Sequence, residues 1–195
     1  MTAPRLVLAS GSPRRQDLLR SLGIRFEVQT PGVDESRRPE EEPYDYVARV
    51  ARTKVEATLA PDTVVVGADT TVVIDGRVLG KPAHPDEAES MLRRLSGDTH
   101  EVLTGVAVGA MIPEPQIVTG VESTLVRMLP MTDLEIVEYV ATGEPMDKAG
   151  AYALGGIGAI YVDWVQGSPS SVVGLPLHTT ARLLRNLGFD LLSFR

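Results

Sequence analysis

The sequence predicts an α/β fold built on a mixed sheet. Short β-rich apolar runs alternate with amphipathic helical segments, and Asp75-Gly76 between two extended runs marks an antiparallel pair that a purely parallel sheet would lack. The length of 195 residues points to one domain, or to two small lobes sharing one core.

Arg5 to Ala9 is a mostly apolar run that stops at Ser10-Gly11-Ser12-Pro13, the pattern of a buried strand ending in a helix start. Ser12 is the expected N-cap and Pro13 the first helical residue. Leu18, Leu19 and Leu22 share one face of that helix, and Gly23 supplies its stop. A second strand is expected at Arg25 to Thr30. Pro31 to Pro43, with its prolines and the charge runs Arg37-Arg38 and Glu40-Glu41-Glu42, reads as a solvated loop. A helix follows near Tyr44 to Leu59, with Tyr44, Val47, Ala48, Ala51 and Val55 as its apolar face and Lys54 on the exposed side. Thr63 to Ala68 is β-rich. Asp69 and Thr70 interrupt that pattern, Thr71 to Ile74 continue extended, and the hairpin returns through Arg77 to Leu79.

Pro85 to Leu95 carries Asp86 and Glu87 in its first turn, Arg93 and Arg94 in its last and Gly97 beyond, so charge and stop signals agree on a helix. His100 to Gly109 and Ile117 to Val126 read as two long strands separated by a Pro113-Glu114-Pro115 turn. Thr132-x-x-Glu135 is a capping box opening a helix that Gly143 closes. Gly150, Gly155, Gly156 and Gly158 make a permissive loop around Tyr152, followed by a strand at Ile160 to Val165 and a final helix near Leu177 to Leu187.

Composition narrows the function classes. Lys and Arg total 19 against 26 Asp and Glu, a net charge of −7, which argues against a general nucleic-acid binder and requires any anionic ligand to meet a local basic cluster. Cysteine is absent, which removes disulfides, thiolate nucleophiles, iron–sulfur clusters and Cys-type zinc sites and fits a reducing compartment. The apolar run Leu6 to Ala9 is too brief for a signal peptide, and no stretch is long enough for a membrane helix. The expectation is a cytoplasmic protein with no membrane partner.

Between Ser10 and Arg15, helix-start N–H groups, the hydroxyls of Ser10 and Ser12 and the guanidiniums of Arg14 and Arg15 converge, an arrangement that suits phosphate. The same residues equally serve a capped helix with solvated arginines, and the spacing is not that of a P-loop. Asp69 sits at the end of an apolar strand, where open α/β sheets gather ligands, and suits metal binding or water activation. A turn-starting Asp is the plainer alternative, weakened because no Gly or Pro follows. Glu35 beside Asp34 on a loop, Lys54 on its helix and Lys81 before Pro82 each read singly as surface residues. Asp147-Lys148 reads as a surface turn of adjacent charges. His84, His100 and His178 show no metal spacing, and no G-x-S-x-G elbow is present.

Leu8-Ala9-Ser10-Gly11-Ser12-Pro13-Arg14-Arg15, Val33-Asp34-Glu35, Gly67-Ala68-Asp69-Thr70, Gly80-Lys81-Pro82, Leu95-Ser96-Gly97 with His100 and Thr104-Gly105, Asp147 to Tyr152, and Val173 to Leu177 occur in that order. Together they closely resemble the motifs of the Maf proteins, the septum-formation or Maf-like nucleoside triphosphate pyrophosphatases, over nearly the whole chain. The resemblance implies a single domain spanning 1–195, with a curved mixed β-sheet between two α/β lobes and a central cleft, similar to the inosine-triphosphate pyrophosphatases. It implies hydrolysis of the α–β phosphate bond of a nucleoside triphosphate to the monophosphate and pyrophosphate, with Mg²⁺ or Mn²⁺ as cofactor and a homodimer as the assembly. By the same resemblance Asp69 matches the catalytic general base, and Ser12, Arg15, Glu35, Lys54 and Lys81 match the residues lining the phosphate and metal site.

The residue types suit those roles. A triphosphate brings about four negative charges, and its transfer is catalysed mainly by positioning and charge neutralisation. Arginine and lysine suit phosphate oxygens, while Glu35 and Asp69 offer the hard oxygens that Mg²⁺ or Mn²⁺ prefers. Asp69 as metal ligand and Asp69 as base both remain open on the sequence.

Arg14 and Thr70 match the family's subgroup acting on dTTP and UTP, where the 7-methyl-GTP subgroup carries Trp and Gln. The third specificity position departs: Tyr152-Ala153-Leu154-Gly155-Gly156 places Gly155 where the pyrimidine subgroup has Gln, and glycine offers no side-chain hydrogen bond to a base. Ser171 likewise stands where Asn is common. Two other readings remain. An aspartyl phosphatase would use Asp69 as nucleophile but lacks the second Asp, since Thr71 stands there. A nucleotide-binding regulator of septum formation finds little support in a chain with 5% aromatic residues and no heptads.

Overall fold

The computed structural model describes residues 4–112 and 114–195. In chain order these form β1 (Arg5–Leu8), α1 (Pro13–Ser21), β2 (Glu27–Val28), α2 (Pro43–Glu56), β3 (Thr63–Ile74), β4 (Arg77–Leu79), α3 (Pro85–Leu95), β5 (Thr99–Ile112), β6 (Glu114–Met128), α4 (Asp133–Ala141), β7 (Val162–Gln166), α5 (Pro169–Val173) and α6 (Leu177–Asn186). Short 3₁₀ turns lie at Glu144–Asp147, Ala149–Ala151, Ile157–Tyr161 and Leu191–Phe194. The strand order is β2-β1-β3-β5-β6-β7, with β4 paired to β3. β1 runs parallel to β2 and β3, whereas the β3–β4 and β6–β7 pairs are antiparallel, so the sheet is mixed as expected.

The described residues divide into two compact units, one from residues 4–69, Thr104–Glu122 and Gly174–Arg195, the other from Thr70–Leu103 and Ser123–Val173. In the first, β1 is buried on both faces, which is why its sequence is a continuous apolar run and not an alternating one. Leu6 and Leu8 pack with Val64, Val66, Leu19 and the α6 residues Leu183 and Leu184, while Val7 and Ala9 pack with Val65, Ala51 and Val55. Two glycines set how closely α2 approaches the sheet. A Cβ at Gly105 would lie 2.2 Å from the Val47 carbonyl oxygen, and one at Gly67 would lie 2.7 Å from that of Ala51, so only a residue without a side chain fits either place.

The second unit is built around α3 and α4. Ala88, Met91, Leu92 and Leu95 of α3 pack with Ile136, Tyr139 and Val140 of α4 and with Val72, Ile74, Val126 and Met128 from strands. The capping box is formed in both directions: Thr132 Oγ1 accepts from the Glu135 N–H at 3.3 Å, and the Glu135 carboxylate accepts from the Thr132 N–H at 2.7 Å. The glycine stop after α4 stands as expected, Gly143 having φ 77°.

Several expectations are corrected. β3 does not break at Asp69 and Thr70; it runs unbroken for 12 residues, because neighbouring strands hold the backbone extended against the turn preference of Asp. β2 is a two-residue strand on exposed positions and not the run from Arg25 to Thr30. Ile160 and Tyr161 belong to a 3₁₀ turn, so β7 begins at Val162. β5 and β6 extend to Ile112 and from Glu114, and the turn expected at Pro113-Glu114-Pro115 begins on Pro113, outside the described residues. The short α5 carries no apolar period by which the sequence announced it.

Candidate active site

The first unit gathers most of the charged residues singled out above. On α2 the buried positions are Val47, Val50, Ala51, Lys54 and Val55, so Lys54 lies in the apolar stripe itself, only 5% exposed, and not on the exposed side. The stripe was legible at spacings of three and four residues, with a lysine standing inside it. Tyr44, expected in that face, is instead 45% exposed.

From this stripe the Lys54 ammonium donates to Glu35 Oε2 at 2.7 Å and to Asp69 Oδ1 at 3.0 Å, with the Ala68 carbonyl at 3.4 Å. Asp69 projects from the uninterrupted β3 and is 7% exposed. Burial pushes its carboxyl above the ordinary aspartate range, and the Lys54 and Arg15 charges pull it back down in part. A carboxylate placed so is held between two tendencies, which suits a group that must take up a proton.

Arg15 lies on α1 and is also buried, at 8% exposure. Its Nε donates to the Gly174 carbonyl at 2.7 Å and its Nη1 to Ser10 Oγ at 2.9 Å. Burial lowers its pKa, and the Asp69 and Glu35 charges oppose that lowering. Ser12 occupies the N-cap position of α1, with Pro13 following, but its side chain makes no capping hydrogen bond. Arg14, the next residue along, is half-buried.

Glu35 reaches Lys54 from the loop between β2 and α2, and that loop is tied to α2 at two further points. The Tyr46 hydroxyl donates to the Glu35 carbonyl at 3.0 Å, and Arg49 Nη2 donates to the Ser36 carbonyl at 2.9 Å. Arg49 also grips Glu41 through Nε to Oε1 at 2.6 Å and Nη2 to Oε2 at 2.9 Å, which holds the Glu41 carboxyl at about 2. Burial and the nearby Asp69 and Glu35 charges push the Tyr46 hydroxyl up to about 12, so it stays a donor. Sequence reading passed over Tyr46, Arg49 and Glu41, since nothing in their spacing links a helix face to a particular carbonyl of a preceding loop.

The other residues singled out, Thr70, Lys81 and Gly155, belong to the second unit. Thr70 is half-buried on β3, Lys81 is exposed after β4, and Gly155 is exposed with no atom within 4 Å of the place a Cβ would take. Asp147 and Lys148 pair at 2.6 Å in a surface turn, as expected. His100 is buried against Tyr152, with its Nε2 2.7 Å from the tyrosine hydroxyl. Among the described residues no three His, Asp or Glu side chains gather to cage a metal. Glu35 and Asp69 share one Lys54 nitrogen, and two carboxylates completed by water and phosphate oxygens are the donor set a Mg²⁺ that travels with phosphates uses. No described helix is long and apolar enough to cross a membrane.

Comparison with known proteins shows what the chain is similar to. The family profile described as Maf-like protein matches residues 5–187. The chain is similar to a dTTP/UTP pyrophosphatase of Anaeromyxobacter dehalogenans, 53% identical over 193 residues and 97% of each chain. It is 47% identical to one of Symbiobacterium thermophilum over 96% of each chain, and 47% identical to one of Escherichia coli over 93% of this chain and 92% of that one. A solved nucleoside-triphosphatase, a dITP/XTP pyrophosphatase of Mycobacterium abscessus, aligns over 94% of this chain and 95% of that one at 14% identity with a TM-score of 0.40, a likeness too loose to bear on the site.

Proposed function

The chain belongs to the Maf-like protein family, and from that premise we propose that it hydrolyses dTTP and UTP to the monophosphate and pyrophosphate, as the names of relatives at about half identity say of those proteins. The observation that carries the reading is the buried Lys54 ammonium held between Glu35 and Asp69, beside a buried Arg15. Buried charge of both signs is costly to keep without a purpose, and a triphosphate with its cation supplies one.

In this reading Ser12, Arg14, Arg15, Lys54 and Lys81 receive the phosphate oxygens. Glu35 and Asp69 hold the Mg²⁺ or Mn²⁺, which supplies charge neutralisation at the phosphates when bound. Asp69 takes the proton of the attacking water on the carboxylate oxygen that does not face Lys54. The water oxygen bonds to phosphorus, the bridging α–β P–O bond breaks, and pyrophosphate departs. Arg14, Thr70 and Gly155 choose the base. The absence of cysteine supports a cytoplasmic setting, and the motif resemblance supports a homodimer, a part in clearing the nucleotide pool and a link to cell-division arrest.

One observation favours a variant of this reading in which base choice is relaxed: the space beside Gly155 is open where the subgroup carries Gln. A panel of canonical and modified triphosphates, with products identified, tests both. Release of pyrophosphate and monophosphate from dTTP and UTP alone supports the narrow reading, broad release supports the relaxed one, and no release from any nucleotide overturns the activity. Gly155→Gln is expected to fold unchanged and to sharpen pyrimidine preference by about 1–3 kcal/mol, or roughly 5- to 150-fold in kcat/KM ratio, if the added amide pairs with the base edge.

A further inference from the structure

We propose that Lys54 is an internal counter-ion that closes the Glu35–Asp69 carboxylate pair to a lone divalent cation, so that the metal enters together with the triphosphate. The inference rests on the reading of this pair as the metal site. An ammonium has three N–H donors and no acceptor. Lys54 directs them at three oxygens, Glu35 Oε2 at 2.7 Å, Asp69 Oδ1 at 3.0 Å and the Ala68 carbonyl at 3.4 Å, so none is left over for a phosphate. The metal and the lysine compete for the same carboxylate oxygens.

The lysine cannot simply withdraw. Its side chain is 6% exposed and its stem lies in the apolar stripe of Val47, Val50, Ala51 and Val55. The helix that carries it is seated on the backbone of β3 and β5 at Gly67 and Gly105, where any Cβ would collide with an α2 carbonyl. Its charge therefore stays beside the two carboxylates unless a new anion arrives to share it.

Charge decides which ligand can enter. Glu35 and Asp69 carry one negative charge each, and Lys54 and Arg15 one positive charge each, so the four groups sum to zero. A lone divalent cation would leave two uncompensated positive charges among side chains of which three are buried. A metal–triphosphate complex brings the metal already compensated by its own phosphates and supplies phosphate oxygens to which Lys54 can turn, releasing carboxylate oxygens to the metal. Metal and nucleotide binding are then coupled through one side chain, and each must raise the other's affinity by the same factor.

The test is Mn²⁺ binding to the full chain without nucleotide, read by the loss of the free-ion electron paramagnetic resonance signal, for the wild type, Lys54→Gln and Lys54→Arg. Lys54→Gln is expected to bind Mn²⁺ alone at least about tenfold more tightly than the wild type, within the usual span of such couplings, while Lys54→Arg stays near the wild type. In the wild type a non-hydrolysable α,β-methylene analogue of dUTP is expected to raise Mn²⁺ affinity, and in Lys54→Gln by a smaller factor. Equal affinities for Mn²⁺ alone in wild type and Lys54→Gln overturn the counter-ion role and leave the metal site standing. Should the Gln variant not fold, the wild type still decides, since Mn²⁺ binding as tight without the analogue as with it overturns the proposal. No Mn²⁺ bound by any of the three, with or without the analogue, overturns the reading of the metal site and this proposal with it.

Discussion

Each unit of the molecule buries polar side chains, and the two do so in opposite ways. In the first, Arg15, Lys54 and Asp69 are buried as charged groups, and the Lys54 nitrogen lies within 3.0 Å of carboxylate oxygens from both Asp69 and Glu35. In the second, His100 and Tyr152 are buried as a neutral pair in edge-to-face contact, their rings 5.2 Å apart. Burial lowers His100 to about 4, with Asp98 opposing weakly, and raises the Tyr152 hydroxyl. A buried group keeps its charge where an opposite charge stands beside it and loses it where none does. The first unit thus stores charge that an incoming ligand can redistribute, and the second holds its polar groups as scaffold. Glu144 fits that scaffold: its carboxylate accepts from the Tyr139 hydroxyl at 2.8 Å and from the Ile157 and Gly158 N–H groups at 2.9 Å each.

The contrast predicts which changes act on chemistry and which on stability. The largest effect belongs to Asp69→Asn. Loss of the base is expected to lower kcat about 10²–10⁴-fold, while the melting temperature holds or rises, since a buried carboxylate is removed and Lys54 keeps Glu35. Pyrophosphate release and thermal melting measured together check it, and an activity within tenfold of the wild type would break the comparison.

Glu144→Ala is the converse change. Two backbone N–H groups and a tyrosine hydroxyl lose their acceptor, with an expected cost of about 3 kcal/mol in urea unfolding and an unchanged kcat where the protein remains folded.

Acid separates the two regions by sign. Unfolded His100 titrates near 6.5 and folded His100 at about 4, so between those values the unfolded chain binds more protons. Its contribution to stability is complete above pH 6.5 and lost as the pH falls toward 4, amounting to about 3 kcal/mol at most. Asp69 is shifted upward, so its protonation on acidification favours the folded state. Stability against pH in His100→Gln is expected to fall less steeply between pH 6.5 and 4 than in the wild type, whereas in Asp69→Asn it is expected to fall more steeply as the pH drops toward the ordinary aspartate range.

The smallest effect sharpens the comparison inside the first unit. Arg49→Ala cuts one of the ties between α2 and the loop that carries Glu35, leaving the Tyr46 hydroxyl bond. The Mg²⁺ concentration for half-maximal rate is expected to rise about tenfold, or 1.4 kcal/mol, with kcat at saturating metal within about twofold. A fall in kcat without that shift would make Arg49 a support of the fold and nothing more.

Local chemistry made much of the molecule readable beforehand. The Thr132–Glu135 capping box, the Asp75-Gly76 turn between β3 and β4, and the charge and stop signals around α3 all stand as the sequence implies, because each depends on residues at most a few positions apart. The charged residues of the first unit were readable as types and as matches to the Maf motifs, which is why Arg15, Glu35, Lys54 and Asp69 were named at all. Their meeting was not readable, since the pairs that make it are separated by 15 and 19 positions, and Arg15 is held by a carbonyl 159 positions away.

By itself, then, the sequence determined most of the helix and strand types, the Thr132–Glu135 capping box and the inventory of charges, all of which rest on short-range sterics, hydrogen bonding and periodicity. The tertiary structure alone decided that Asp69 stays in a continuous strand, that Lys54 faces inward among valines, and that Tyr46 and Arg49 hold the Glu35 loop to α2. Each of those outcomes follows from packing one element on another: two glycines that admit a helix against the sheet bring a lysine to two carboxylates, and the opposite charges let Lys54 and Asp69 remain charged although both are buried, with Glu35 reaching Lys54 from the exposed loop.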